Sequence, residues 1–162
     1  MPGLPEPASA PVKPGVRQGA IAWGSTVQLR PPGVDGIIKV TADKPIGARL
    51  SVSPEAPRPL EGNLAAFTEF VMVECSTKDV PVKVAISLRP APSVCDAQNL
   101  DKLSLYAFDE TNGWNRLDTQ SFDSKVRGVS GEDTEARCYA LVGPANLLLE
   151  SPVGKQAEGS GR

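Results

Sequence analysis

Val80-Pro81-Val82-Lys83-Val84-Ala85-Ile86-Ser87-Leu88-Arg89 decides the fold. Val80, Val82, Val84, Ile86 and Leu88 fall on one row, and Pro81, Lys83, Ala85, Ser87 and Arg89 fall on the other. A period of two belongs to a strand with one face toward a core and the other toward solvent. At 3.6 residues per turn a helix would scatter the same apolar residues around its circumference, so an amphipathic helix is excluded here.

Weaker copies of the pattern lie on either side. Residues 26–30 alternate Val27 and Leu29 with polar neighbours, 36–42 are rich in β-branched side chains, and 49–53 alternate Leu50 and Val52 with Arg49, Ser51 and Ser53. Residues 67–75 are apolar on both faces, as a central strand would be. Residues 102–108 set Leu103, Leu105 and Ala107 against Tyr106 and Phe108, and 114–117, 125–129 and 137–142 complete the set. Breakers separate them: Pro31-Pro32-Gly33, Asp43-Lys44-Pro45, Pro54 to Pro59, Pro90 to Pro92, Asn112-Gly113 and Gly128 to Gly131. Eight or nine short strands at this spacing predict an all-β fold, an antiparallel β-sandwich, with residues 145–150 reading as one helical turn.

The 162 residues suffice for one domain with tails. Residues 1–18 hold five prolines and almost nothing to bury, and 151–162 are equally poor. Such segments do not offset their ordering entropy by burial. The expected organisation is a Pro-rich arm at 1–18, a sandwich at 19–144 and a tail at 145–162. Apolar residues make up 40 % of the chain and charged residues 22 %, with 15 Gly and 16 Pro, a balance that favours strands and turns on an ordinary soluble surface.

Net charge is −2 and like charges never run beyond a pair. Nucleic acid would demand a basic face, and a membrane-surface helix would demand Lys/Arg beside an apolar stripe. Neither is present, so the expectation is no nucleic acid and no membrane insertion. The N-terminal Met1 to Gly15 stretch lacks the basic start and apolar middle of a secretory leader. Cys75, Cys95 and Cys138 are an odd set, which favours reduced thiols over a disulfide framework; one bridge plus a free thiol is the competing reading. The expected location is cytoplasmic, with an extracellular or virion-surface place as the alternative.

The chain has no histidine. That removes Ser-His-Asp and Cys-His catalysis, the usual zinc sites and the side chain best suited to proton transfer near neutrality. The cysteines lack any C-x-x-C spacing; Cys75 and Cys138 flank apolar strands and read as small buried hydrophobes, while Cys95, after a Pro-rich turn, is the candidate exposed thiol. Asp109, Glu110 and Asn112 do not follow the calcium-loop order, so the segment reads as a hairpin turn closed by Asn112-Gly113, with Phe108 and Trp114 facing across it. Glu132, Asp133 and Glu135 read as a solvated acidic loop. Glycines fall singly between strands, without the pattern of a phosphate cradle. Pro2-Gly3-Leu4-Pro5 matches a P-x-x-P ligand, and a plain tether is the simpler reading. No catalytic, cofactor-binding or metal residue is assigned, and no cofactor is expected.

With the strands placed, the order of features resembles the ZU-five sandwich of ankyrins, netrin receptors and tight-junction scaffold proteins. Gly15-Val16-Arg17-Gln18-Gly19-Ala20-Ile21-Ala22-Trp23-Gly24 is similar to the family's opening segment. Phe70-Val71-Met72-Val73-Glu74-Cys75 with Val80-Pro81-Val82-Lys83-Val84 looks like its central pair. Leu105-Tyr106-Ala107-Phe108-Asp109, Trp114 and Tyr139-Ala140-Leu141-Val142-Gly143 resemble its later part, so the likeness spans about residues 15–144. Some members of that family cut themselves at a His-Phe-Ser or His-Leu-Thr before the last strand. Glu135-Ala136-Arg137-Cys138 stands there instead, with neither base nor hydroxyl nucleophile, so self-cleavage is not expected.

The resemblance implies a non-catalytic protein–protein interaction module, a scaffold or adaptor whose partner is another protein. Two rivals stand beside it: a structural subunit of a larger assembly, and a hydrolase built on two carboxylates in a cleft.

Overall fold

A computed structural model of the chain describes residues 16–149 apart from 20, 61, 77, 78 and 126. Its strands are Arg17–Gln18 (β1), Ala22–Leu29 (β2), Asp35–Ser53 (β3), Leu64–Ala66 (β4), Phe70–Cys75 (β5) and Val82–Arg89 (β6). Ser104–Asp109 (β7), Gly113–Arg116 (β8), Thr119–Asp123 (β9), Gly128–Asp133 (β10) and Cys138–Pro144 (β11) follow. Short 3-10 turns occupy Ala97–Lys102 and Ala145–Leu147, the second within the helical turn expected at 145–150. In β6, Val84, Ile86 and Leu88 are buried while Lys83 faces solvent, as the alternation requires.

The fold is all-β and antiparallel. Eleven strands form one curled sheet in the order β8-β7-β11-β5-β3-β6-β10-β9, with β1 and β2 along β3 and β4 on β11. The additional strands beyond eight or nine include β1, β4 and β9, each too short or too polar to show an apolar row of its own.

Strand β3 accounts for the two layers. Its first part, Asp35 to Ala42, pairs with β6, and its last part, Ala48 to Ser53, pairs with β5. Asp43-Lys44-Pro45, expected to separate two strands, lies inside this one. The chain stays extended there and the ladder breaks instead: against β2 the register jumps from Gly24↔Ile46 to Thr26↔Thr41. Proline has no N–H to give a ladder, and a bulge is where a sheet tolerates it. The sheet turns at this point into a first wing (β3 start, β6, β10, β9) and a second wing (β3 end, β5, β11, β7, β8), facing each other as sandwich layers do. Ile38, Val40, Ile86 and Leu88 of the first share one core with Leu50, Val52, Leu105 and Leu141 of the second. Each such side chain contributes about 1.5–3 kcal/mol on full burial.

Gly128 to Gly131, expected as a breaker, is instead the first part of β10. Both glycines are required by close approach: a Cβ on Gly128 would stand 2.9 Å from the Leu88 carbonyl oxygen, and one on Gly131 would stand 2.8 Å from that of Thr119. Opposite Gly131, Gln120 of β9 reaches the second wing. Its Oε1 accepts from the Leu105 N–H at 2.7 Å, and its Nε2 donates to the carbonyls of Leu105 at 3.1 Å and Leu117 at 2.7 Å. One side-chain amide thus takes the place a neighbouring strand would have against β7.

The outer face of the second wing carries a smaller apolar cluster of Phe70, Cys138, Ala140 and Val142, with Tyr106, Phe108 and Trp114 packed on it. The proline-rich segment after β3 roofs it, bringing Ala56 and Leu60 into the cluster. Arg58 lies over the Phe108 ring at 5.4 Å, and its carbonyl accepts from Trp114 Nε1 at 2.7 Å. At the start of the described chain, Arg17 and Gln18, read as part of the arm, pair with Val52 and Ser51. Arg17 forms an ion pair with Glu69 and donates to the Pro32 carbonyl at 3.2 Å. The proposed arm up to residue 15, Pro2-Gly3-Leu4-Pro5 included, and the tail from residue 150 lie outside the described residues.

Replacing Gln120 with Ala leaves the Leu105 N–H without its partner, while the Leu105 carbonyl keeps the Leu117 N–H at 3.0 Å. We expect a loss of about 1–3 kcal/mol in the urea-unfolding free energy, with the circular-dichroism spectrum of the folded state unchanged.

Candidate interaction surface

Each residue singled out in the sequence now has a place. The Asp109-Glu110-Thr111-Asn112-Gly113 segment is a hairpin, with Asp109 paired to Gly113 and a loop of Glu110, Thr111 and Asn112. Positive φ falls on Gly113, at 79°, so the turn is a three-residue loop closed by a left-handed glycine and not a two-residue Asn-Gly turn. The Asp109 carboxylate accepts from the Thr111 N–H at 2.7 Å and from Asn112 Nδ2 at 3.4 Å. The Thr111 amide, Asn112 and Arg137 hold its carboxyl below the ordinary range. Phe108 and Trp114 face each other with ring centroids 5.4 Å apart.

The acidic loop is corrected in part. Glu135 is exposed, but Glu132 and Asp133 belong to β10, and Asp133 is only 9 % exposed. Its burial has a reason. Tyr139, wholly inside the core on β11, extends its hydroxyl to Asp133 Oδ2 at 2.9 Å and shares the proton with the Glu135 carbonyl. Burial, with Asp133 beside it, pushes the phenol far up. Arg137 closes the group, 3.2 Å from Asp133, 3.1 Å from Glu135 and 3.5 Å from Asp109.

Asp109, Asp133 and Arg137 border a cleft of about 420 Å³ that Asp118 and Glu132 also line. A glycosidic acid–base pair needs one carboxyl with a raised pKa. Asp109 is shifted the other way, and Asp109 and Asp133 are both turned to Arg137, which is the chemistry of an ion-paired brace. A shallower groove of about 580 Å³ crosses the outer face of the first wing over Ala85, Ser87 and Ser130, with Lys39 and Glu132 at its rim.

The cysteines are three free thiols. Cys95, expected as the exposed one, is 3 % exposed, because its strand bridge to Leu148 folds the end of the domain over it. Cys138 is buried, and desolvation pushes its thiol up to about 12. Cys75, at the end of β5, is the partly exposed one.

Composition alone did not point to Trp23. It is 70 % exposed and Ile21 is 50 % exposed, the two largest side chains of one short stretch. Trp23 pairs with Gly47 across β2 and β3, and a Cβ on Gly47 would come within 2.9 Å of the indole ring. The ring therefore lies against a backbone with no side chain beneath it. Beyond Gly47 the same face carries the Arg49–Glu74 ion pair, 3.3 Å, and then Met72. Strand β2 is also an edge: among the described residues it pairs with β3 alone. From Gln18 to Leu29 the sequence has no charged residue, whereas the two strands that end the sheet order carry Arg116 in β8 and Asp123 in β9.

No protein-family model matches the chain, and no curated protein matches it. Among the described residues no helix is long and apolar enough to cross a membrane.

Alkylation of the folded chain with iodoacetamide at pH 8 is expected to modify Cys75 first. Cys95 and Cys138 should react only after denaturant is added, as peptide mass spectrometry would show.

Proposed function

We propose that this chain is a non-catalytic protein–protein interaction module, a scaffold or adaptor piece, and that its contact surface centres on Trp23. The observation that carries this reading is an indole left 70 % exposed on the backbone of Gly47, on a strand with an open edge. An exposed tryptophan supplies a large contact area with little rotamer entropy to lose, and such residues dominate binding energies. The uncharged backbone edge beside it offers N–H and C=O groups to an extended partner segment. The resemblance to scaffold sandwiches points the same way, and three free thiols suit a reducing compartment.

Trp23→Ser tests it in the full chain. Affinity capture from the native source, quantified by mass spectrometry, is expected to lose the principal partner by about tenfold or more. The fold, checked by circular dichroism, is expected to persist because the replaced ring lies outside the core. Equal recovery by both forms would overturn the proposal.

A further inference from the structure

We infer that β2 pairs with β2 of a second copy of this chain, antiparallel across a two-fold axis, to continue the sheet from one molecule into the next. This rests on the reading of the Trp23 surface as an interaction site and names its partner.

Sheet edges are ordinarily protected by charge, by proline or by a covering segment. Strand β8 carries Arg116 and β9 carries Asp123, while β2 has no charge and no proline from Ala22 to Leu29. A two-fold pair sets the residues at its axis near their own copies, so a charge at the middle of the strand would meet a like charge across the join. An uncharged centre suits a self-pairing strand, and Ser25 and Thr26, on either side of the axis, provide it.

The chain's own remaining segments make poor strands for this edge. Residues 1–15 place proline at 2, 5, 7, 11 and 14, and each removes a ladder donor. Residues 150–162 are rich in Gly and charge and hold one β-branched residue, Val153. With the two β2 strands overlapping fully, Trp23 of one copy stands opposite Gln28 of the other, and both side chains are exposed before pairing. Thr26, also exposed, lies beside the axis, close to its own copy.

Sedimentation velocity of the full chain across roughly 1–200 µM tests this. The wild type is expected to move from monomer to dimer within that range. Thr26→Lys and Thr26→Glu are each expected to weaken the dimer about tenfold, through two like charges near the axis. Mixing the two variants in equal amounts should restore association, which simple misfolding would not do. A wild type that remains monomeric, or variants that dimerise as well as the wild type, would overturn the inference. A monomeric wild type whose captured partner still depends on Trp23 would overturn self-pairing alone and leave the interaction surface standing.

Discussion

Everything in this molecule depends on one strand serving two layers. Strand β3 pairs with β6 through its first half and with β5 through its second, so the sheet has to fold where the ladder lapses at Asp43-Lys44-Pro45. That fold brings the apolar rows of the two wings face to face and creates the core. The inward polar groups then have to find partners across the gap, since an unpaired buried donor or acceptor costs about 1–3 kcal/mol. Gln120 answers for the peptide of Leu105, and Asp133 answers for the hydroxyl of Tyr139.

These cross-wing bonds also account for much of the polar sequence that first reads as surface or site. Asp133 is acidic and near other acids because it terminates β10 beneath Tyr139 and beside Arg137. The Arg137 cluster joins β7, β10 and the start of β11, so the cleft beside it is the visible side of a brace. An exposed tryptophan and an open strand edge meet elsewhere, on β2.

The strands that pack in rows were legible from the sequence. Val84, Ile86 and Leu88 announce β6 because each is fully inward, and Leu105 and Ala107 do the same for β7. What was not legible depends on pairing between distant residues. Gly128 to Gly131 looks like a turn until the carbonyls of Leu88 and Thr119 are seen against it. β9 was missed because Gln120, one of its two inward residues, is polar. Asp43-Lys44-Pro45 was read correctly as a break, but the break is in hydrogen bonding and not in the direction of the chain. Trp23 gave a partial signal, as an aromatic within an uncharged stretch; its exposure rests on Gly47, 24 positions away (47 − 23).

The proline-rich segment after β3 covers part of the second wing's outer face from within the chain. With Ala56, Leu60 and Arg58 laid over Phe70, Phe108 and Trp114, the aromatic end of that surface is already occupied. The roof excludes another sheet from this part of the face, while Trp23 and Met72, farther along it, stay uncovered.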